Sequence, residues 1–291
     1  MGWFEEASGL HGTVAVVTGG AGGLGEQISI DLAANDVRVA VVDIDPEAVH
    51  ALERTFGERG HDAVIQHGDA RDPQVLSALF DAVDQRWGRV DTLVNVVGGT
   101  FRADFSETSP KGWDALLRMN LLHVLHACSM AIPRMRAGGR GGSIVNLTTV
   151  EAHRAAPGFA VYSAAKAAVE HFARSLAVEL GPDHIRVNNV APDFTPTPNM
   201  LRISGGESAS ATPFGARIRF PLARAGNPSD VSGCVVFLAS NLSAYVTGTT
   251  LHPDGGTFAS SGWFNWPETG WDMIPPRVVE WLEGQAETPP Q

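Results

Sequence analysis

Two scarce residue types stand one helical turn apart in the segment that reads YSAAK. Tyr and Lys each occur twice in 291 residues, and Tyr162 precedes Lys166 by four positions. On a helix, residues i and i+4 share a face, so both side-chain heads can reach one bound molecule. A free phenol, with a pKa near about 10, transfers protons poorly at neutral pH, and a nearby ammonium lowers that pKa. The pair therefore indicates acid–base chemistry by a tyrosine.

A glycine-rich segment, TGGAGGLG at 18–25, follows the first predicted strand and opens the first predicted helix. Gly19, Gly23 and Gly25 let the backbone approach a pyrophosphate, and the helix N-terminus supplies amide donors. Asp43 ends the second predicted strand, where a carboxylate would bond the adenosine ribose and repel a 2′-phosphate. We therefore predict a dinucleotide site that favours NAD over NADP. The alternatives are a ligand-free strand–helix turn and an Asp43 that caps the next helix.

Short apolar runs alternate with helical patterns along most of the chain. Asp69 ends the third of these runs, where it either bonds the adenine amino group or only makes a turn. Buried strands are predicted over 13–18, 37–43, 63–69, 91–97, 142–148 and 185–191. The helices are predicted over 46–57, 73–87, 110–136, 160–181 and 228–240, after a first helix on which Leu24, Ile28 and Leu32 share a face. This alternation is typical of a doubly wound α/β domain with a parallel sheet.

The composition is that of an ordinary soluble globular protein, at 44% hydrophobic and 18% charged residues. The formal charge of −11 comes with no basic run, so nothing indicates nucleic acid or an anionic membrane as a partner. Cys128 and Cys234 are isolated and suggest neither disulfides nor a zinc site. We find no signal-peptide pattern and no membrane-spanning run, and therefore expect a cytoplasmic protein.

Two segments depart from the strand–helix pattern. Residues 194–227 are rich in Pro, Gly and Ser, and are predicted to be a long substrate lid with at most one short helix. The catalytic domain is expected to cover 1–261. The extension 262–291 carries Trp263, Trp266, Trp271 and Trp281, which we expect to pack over the substrate cleft or on a remote surface.

Taken together, these motifs resemble the short-chain dehydrogenase/reductase family in its single-domain form, over about residues 11–260. The resemblance implies a Rossmann-like sheet of seven strands in the order 3-2-1-4-5-6-7, the last strand lying in TGTTLHPDGG at 247–256. It also implies hydride transfer to or from a small alcohol or ketone, and a homotetramer or homodimer built on the helices of 110–136 and 160–181. The implied catalytic residues are Asn120, Thr149, Tyr162 and Lys166. The implied cofactor-binding residues are Gly19, Gly23, Leu24, Gly25, Asp43, Asp69, Asn95, Gly98, Tyr162, Lys166, Pro192, Thr195 and Thr197.

The sequence departs from the family pattern at three sites. Thr149 stands where the family has a catalytic serine, and it keeps the hydroxyl while adding a methyl group. Valines fill the middle of NVVG at 95–98, where the family has Asn-Ala. Asp193 replaces the glycine of a Pro-Gly turn, and we expect the turn to persist because Asp tolerates unusual φ angles.

The remaining candidates carry less weight. His123, His126 and Cys128 share one predicted helix but lack a fourth metal ligand, so we predict no metal site. Arg202, Arg217 and Arg219 in the lid are interpreted as solvated side chains rather than as an anion site.

The substrate is predicted to be apolar or cyclic, because Phe101, Phe105, Phe159, Phe194 and Phe214 lie on segments that border the family's substrate cleft. A steroid-like ring fits this description. A cis-dihydrodiol that carries a carboxylate also fits, because VGGTF at 97–101 is similar to dihydrodiol dehydrogenases and Arg102 follows it. The alternatives are an NADPH-dependent 3-oxoacyl thioester reductase, which Asp43 disfavours, and a catalytically weak NAD-binding sensor or structural subunit.

Overall fold

A computed structural model describes residues 2–198, 212–266 and 270–273. Seven parallel strands form one sheet in the order β3-β2-β1-β4-β5-β6-β7, which confirms the predicted Rossmann-like fold. The strands are β1 Val14–Thr18, β2 Arg38–Asp43, β3 Ala63–His67, β4 Thr92–Asn95, β5 Gly142–Leu147, β6 Ile185–Val190 and β7 Thr250–Leu251. All five residues of β1 are buried, because helices cover both faces of the sheet.

The described residues form ten α-helices. They are α1 Trp3–Ser8, α2 Gly23–Ala34, α3 Pro46–Arg59, α4 Pro73–Trp87, α5 Pro110–Leu117, α6 His123–Gly138, α7 Ala160–Glu179, α8 Pro213–Arg219, α9 Pro228–Ala239 and α10 Thr257–Ser260. The helices predicted over 46–57, 73–87, 160–181 and 228–240 begin and end within two residues of those positions. On α2, Ile28 and Leu32 are fully buried and Leu24 packs against the same core cluster. This confirms the predicted apolar face of the first helix.

The helix predicted over 110–136 is confirmed and runs to Gly138, with one local irregularity that the sequence did not predict. A π-helical turn, Arg118–Leu122, separates α5 from α6 and contains the fully buried Asn120. A π turn carries an extra residue per turn and is frequent at functional sites. The apolar periodicity of the sequence continues through this turn, so it gives no sign of the interruption.

One apolar stretch, Pro110–Gly138, is long enough by length and composition to cross a membrane. In the fold its residues Val124, Ala127 and Ala131 are buried in the core cluster beneath the sheet. The stretch therefore has the position of core helices.

The two unusual segments are partly described. In the predicted lid, α8 carries Ala216 and Phe220 follows it, and both pack with Phe194 in a small separate cluster. In the C-terminal extension, β8 (Phe264–Trp266) and β9 (Gly270–Asp272) form an antiparallel hairpin, and β8 contacts α8. Arg202 and Trp281 lie outside the described residues. The sequence predicted neither this hairpin nor α1.

Candidate active site

Tyr162 lies in the first turn of α7, beside the end of β5. Its hydroxyl lies close enough to the side chain of Thr149, two residues beyond the strand, to interact with it. Burial raises the pKa of Tyr162 to about 12; the hydrogen bond with Thr149 opposes this rise and the negative charge of Glu151 adds to it. Thr149 itself is 8% exposed and accepts a hydrogen bond from the Glu151 amide at 3.3 Å. The structure thus brings together the two hydroxyls that the sequence motif pairs.

Lys166 lies one turn further along α7 and is almost fully buried. Its Nζ donates to the Leu147 carbonyl at 2.8 Å, and burial lowers its pKa from 10.5 to about 8. A Cβ placed on Gly98 would lie 3.1 Å from Lys166 Nζ and 3.2 Å from Asn120 Oδ1. The lysine and the asparagine therefore converge on the backbone of Gly98, and only a glycine leaves room for both.

The buried charge of Lys166 should lower the stability of the fold. A shift of the lysine pKa from 10.5 to about 8 corresponds to about 3 kcal/mol, which is lost at pH values below both pKa values. We expect Lys166→Met to abolish turnover yet raise the free energy of unfolding by about 2 kcal/mol, since leaving the Leu147 carbonyl unpaired offsets about 1 kcal/mol. Thermal unfolding at pH 7 measures this gain.

The gain should also depend on pH with a definite sign. It should be largest below pH 8 and shrink toward pH 10.5, because the unfolded lysine binds its proton more tightly than the folded one. Lys111→Met, at the other lysine, which is exposed, is the matched control and should leave stability almost unchanged. A loss of stability in Lys166→Met at pH 7 would contradict the cost assigned to the buried charge.

Asn120 is held by the backbone of two segments, α5 and the stretch that follows β4. Its Nδ2 donates to the carbonyls of Gly99 at 2.8 Å and Leu116 at 3.0 Å, and its Oδ1 accepts from the Gly99 amide at 3.2 Å. These bonds tie the interrupted helix to the segment that follows β4. They fix the side chain beside Lys166.

The glycine loop has the backbone that its sequence predicts. Gly19 and Gly23 have φ angles of 67° and 57°, in the left-handed region that favours glycine. A Cβ on Gly25 would overlap the Gly19 carbonyl, so α2 starts in direct contact with the loop. The amides of Gly19, Gly20 and Ala21 are bonded to Val42 and Asp43, so a phosphate would be met by the amides at the start of α2.

Asp43 at the end of β2 holds the loop from the other side. Its Oδ2 accepts from the Ala21 amide at 3.0 Å and its Oδ1 from the Asp45 amide at 3.1 Å. The alternative in which Asp43 caps the helix of 46–57 is wrong. Asp45 is the capping residue and accepts from the amides of Glu47 and Ala48. The Asp43 carboxylate thus remains at the edge of the loop.

Two further predicted cofactor residues have partners within the protein. Strand β3 ends at His67, so Asp69 lies two residues beyond it rather than at its end. The Asp69 carboxylate forms a bidentate ion pair with Arg71 at 2.7–3.0 Å, and this hydrogen bonding lowers its pKa. Asn95 is 1% exposed and donates to Asn146 Oδ1 at 2.9 Å, which links β4 to β5 inside the sheet.

Asp193, after β6, is the centre of a buried ion-pair cluster. Its side chain is 6% exposed and accepts from Arg219 at 2.8 Å, Arg154 at 3.2 Å and Thr257 at 2.7 Å. The expectation that it occupies an unusual φ region is wrong, since its φ is not positive. The interpretation of Arg219 as a solvated side chain is also wrong, because Arg219 joins the lid helix to this cluster.

The segment after Pro192 returns to the glycine loop. The Pro192 carbonyl accepts from the Val150 amide at 3.2 Å, which holds the ends of β5 and β6 together. Thr195 is buried, and the Cβ of Thr197 lies 3.5 Å from the Cβ position of Gly23. The start of the lid thus meets the loop that opens α2. The left-handed glycines, the Asp43 edge and this contact together fit a dinucleotide.

The described residues contain no group of three side chains able to hold a metal ion. His123 is 1% exposed, and burial and the charge of Lys166 lower its pKa to about 3. Cys128 accepts a long hydrogen bond from Asn95 at 3.8 Å. Both residues belong to the packed interior next to Lys166.

Comparison with known proteins agrees with this site. Residues 9–257 match a family model described as enoyl-(acyl carrier protein) reductase. The 3-oxoacyl-[acyl-carrier-protein] reductase FabG of Thermotoga maritima is 36% identical over 249 residues, which cover 85% of this chain and 98% of that protein. The chain belongs to the short-chain dehydrogenase/reductase family and is an oxidoreductase that acts on CH–OH groups.

Two solved structures show that members with this fold hold different cofactors. The gluconate 5-dehydrogenase of Burkholderia cenocepacia, in complex with NADP and tartrate, has a TM-score of 0.78 at 30% identity, over 86% of this chain and 96% of that one. The carveol dehydrogenase of Mycobacterium avium, in complex with NAD, has a TM-score of 0.80 at 29% identity, over 87% and 99%. The family therefore establishes binding of NAD or NADP.

Sequence reasoning missed Glu170, which is buried on the same face of α7 as Tyr162 and Lys166. It follows Lys166 by four residues, so the periodicity of the helix was a usable signal. It also missed the polar row Asn95–Asn146–Asn189–Thr250, which hydrogen-bonds across β4 to β7. That row depends on strand register, which the sequence did not reveal.

Proposed function

We propose that the protein is an NAD-dependent oxidoreductase that interconverts a secondary alcohol and a ketone, with Tyr162 as general acid and base. The observation that carries this proposal is the group formed at the start of α7. There the Tyr162 hydroxyl lies close to Thr149 and one turn from the buried ammonium of Lys166. The glycine loop at the start of α2 provides the neighbouring cofactor site.

The residues of this group have separate tasks in the proposed reaction. NAD, when bound, would supply the hydride acceptor for oxidation and, in its reduced form, the hydride donor for reduction. Tyr162 takes the hydroxyl proton in oxidation and returns it in reduction, while Thr149 orients the substrate oxygen by a hydrogen bond. Lys166 and Asn120 complete the path by which the proton reaches solvent. The raised pKa of Tyr162 makes a nearby positive charge essential, since a phenol with a pKa of about 12 is ionised in only about one molecule in 10⁵ at pH 7.

The cofactor preference is argued from Asp43. Its carboxylate stands at the edge of the glycine loop, where it suits the free hydroxyls of an NAD ribose and repels a 2′-phosphate. Among the described residues, no Arg or Lys forms an ion pair with it. Gly19, Gly23, Gly25 and Thr197 would hold the remainder of the dinucleotide, with Lys166 on the nicotinamide ribose.

The proposed substrate is a cyclic or otherwise apolar alcohol, and a ring alcohol that carries a carboxylate is included. Arg102 lies across Gly158, whose Cβ position is 2.9 Å from Arg102 Cγ, four residues before Tyr162. Within the described ranges, no carboxylate pairs with its guanidinium. Phe101 precedes Arg102 in the chain and is 44% exposed, and Phe159 follows Gly158 and is half-buried. Arg102 is thus a cation near Tyr162 that an anionic substrate could engage.

A second candidate is an NADPH-dependent 3-oxoacyl thioester reductase. The 36% identity to the Thermotoga maritima FabG favours it. Asp43 disfavours it, because a carboxylate at this position repels the 2′-phosphate of NADPH. The two candidates therefore differ first in the cofactor that they bind.

We further propose a cytoplasmic homotetramer or homodimer. An apolar surface formed by Phe105, Leu117, Leu121, Ala164 and Ala168 lies across α5 and α7, and its small residues permit close approach of another helix pair. We propose that residues 1–261 form the catalytic domain and 262–291 an extension that covers the substrate side. The contact of β8 with α8 supports the latter.

The cofactor is tested by titrating the protein with NADH and with NADPH while tryptophan fluorescence is followed. We expect NADH to bind at least about tenfold more tightly, which corresponds to about 1.4 kcal/mol. Turnover is then measured with NAD and three alcohols: cyclohexanol, cis-cyclohexane-1,2-diol and 3-hydroxycyclohexanecarboxylate. Acetoacetyl thioester with NADPH is the competing reaction. Tighter NADPH binding together with thioester reduction would replace the first candidate by the second.

A further inference from the structure

Three consecutive residues at the end of β5 are each held by a residue on one face of α7. The face is made by positions spaced four apart, Tyr162, Lys166 and Glu170. The first two members are the proposed proton-transfer pair. The pairs are Leu147 with Lys166 at 2.8 Å, Thr148 with Glu170 at 2.8 Å, and Thr149 with Tyr162. The function proposed above uses the first and third pairs and assigns no role to Glu170.

Glu170 is a carboxyl group enclosed in the interior, with a side chain that is 2% exposed. One oxygen accepts from Thr148 Oγ1, and the other lies 2.9 Å from His153 Nε2, out of line with the ring N–H. His153 in turn contacts the rings of His252 and Phe258, with centroids 4.7 and 5.1 Å away. A carboxyl group in this setting is costly to ionise unless both neighbours supply compensating interactions.

The remaining charges near Glu170 come from three elements. Arg174, the next turn of α7, and His153, from the loop after β5, lower the pKa of Glu170, while burial raises it and has the largest effect. His252, after β7, faces His153 rather than the carboxyl and is itself influenced by Asp254. Burial thus opposes the ionised form of Glu170, while the Thr148 hydroxyl, His153 and Arg174 favour it.

The hydroxyl of Thr148 links the protonation state of Glu170 to the active site. It has one proton and two acceptors within reach, Glu170 Oε1 at 2.8 Å and the Val190 carbonyl at 3.4 Å. Ionised Glu170 must accept the proton of Thr148. Protonated Glu170 can itself donate to Thr148 Oγ1, and the hydroxyl then turns to the Val190 carbonyl. The residue that changes partner is the direct neighbour of Thr149.

We propose that Glu170, together with His153, is a positioning residue whose protonation state sets the placement of Thr148 and Thr149 against Tyr162. The proposal rests on the roles of Thr149 and Tyr162 in the proposed function. It makes Glu170 a third member of the α7 face, one that acts through the strand end without touching substrate. Its consequence is a dependence of the site on pH that neither Tyr162 nor Lys166 produces.

The test follows threonine methyl groups by NMR in protein with ¹³C-labelled threonine methyls, between about pH 5 and pH 9. The Thr148 and Thr149 signals are assigned by their disappearance in Thr148→Val and Thr149→Ser. In the wild type we expect both signals to move with pH at one common midpoint. In Glu170→Gln, which keeps the size and the acceptor for Thr148, this transition should vanish. The measurement requires no turnover, so its result does not depend on whether the proposed function is correct.

Two variants make the outcome decisive. Glu179→Gln makes the same chemical change at an exposed position of α7 and should keep the wild-type transition. His153→Asn removes a group that lowers the Glu170 pKa, so the midpoint should rise. A transition that persists unchanged in Glu170→Gln, or a Thr149 signal that does not move with pH in the wild type, would overturn the proposal.

Discussion

Tyr162→Phe is expected to lower turnover by about 10²- to 10⁴-fold, the range that a positioned proton-transfer group supplies. The change removes one hydroxyl and leaves the ring packing of α7 intact. The Tyr162 hydroxyl interacts with the side chain of Thr149, which can bond water or substrate instead once that hydroxyl is removed. NADH affinity should therefore change little, while kcat should fall by this factor at every pH. Steady-state kinetics, with NADH binding followed by tryptophan fluorescence, measures both quantities.

The chain provides a matched control for this change, because it has only one other tyrosine. Tyr245 is fully exposed, and Tyr245→Phe should leave both turnover and NADH binding at wild-type values. Retention of wild-type kcat in Tyr162→Phe would show that another group transfers the proton. Tight NADH binding without turnover in the wild-type protein itself would instead support the sensor alternative.

Gly25→Ala is expected to have the largest effect on the cofactor site. The added Cβ would overlap the Gly19 carbonyl and would lie 2.9 Å from the Cα of Gly20, and both are backbone atoms that cannot rotate away. Either the loop or the start of α2 must move, at a cost of about 1–3 kcal/mol in stability. Because the same backbone forms the proposed phosphate cradle, we expect NADH affinity to fall by at least about 100-fold, or about 2.7 kcal/mol.

Gly22→Ala is the matched control within the same loop. A Cβ at Gly22 meets no atom within 4 Å, and its φ of −130° is accessible to alanine. This variant should retain the wild-type melting temperature, and its NADH affinity tests only whether the open side of the loop faces the cofactor. Equal NADH affinity in Gly25→Ala and the wild type would contradict the placement of the dinucleotide on this loop.

Much of the fold could be predicted from the sequence because its signals are local. Buried parallel strands appear as runs of Val and Ile, and helices as apolar residues three or four apart. Five predicted helices and six predicted strands therefore agree within a few residues, and only the π turn at 118–122 was not predicted within them. The lid, the extension and α1 have weak or short periodicity. The hairpin of β8 and β9 pairs segments of three residues, which is below the length at which alternation is detectable.

The site residues also differ in whether local sequence is enough to predict their roles. Tyr162 and Lys166 face one region because four residues make one helical turn, and the glycine loop follows from φ angles that few other residues adopt. These features need only neighbours in the chain. The choice between Asp43 and Asp45 as helix cap needed the backbone itself, since both carboxylates stand within three residues of the helix start.

The sequence by itself determined the class of chemistry: a tyrosine–lysine pair, a dinucleotide loop and a parallel α/β sheet to carry them. Only the tertiary structure decided what surrounds that chemistry. Asp193 meets Thr257 across 64 positions, and Thr148 meets Glu170 across 22. Such pairs depend on which strand ends and loops the sheet order brings together. Burial then sets the pKa of Tyr162 near 12 and that of Lys166 near 8, values that no spacing in the chain could have predicted.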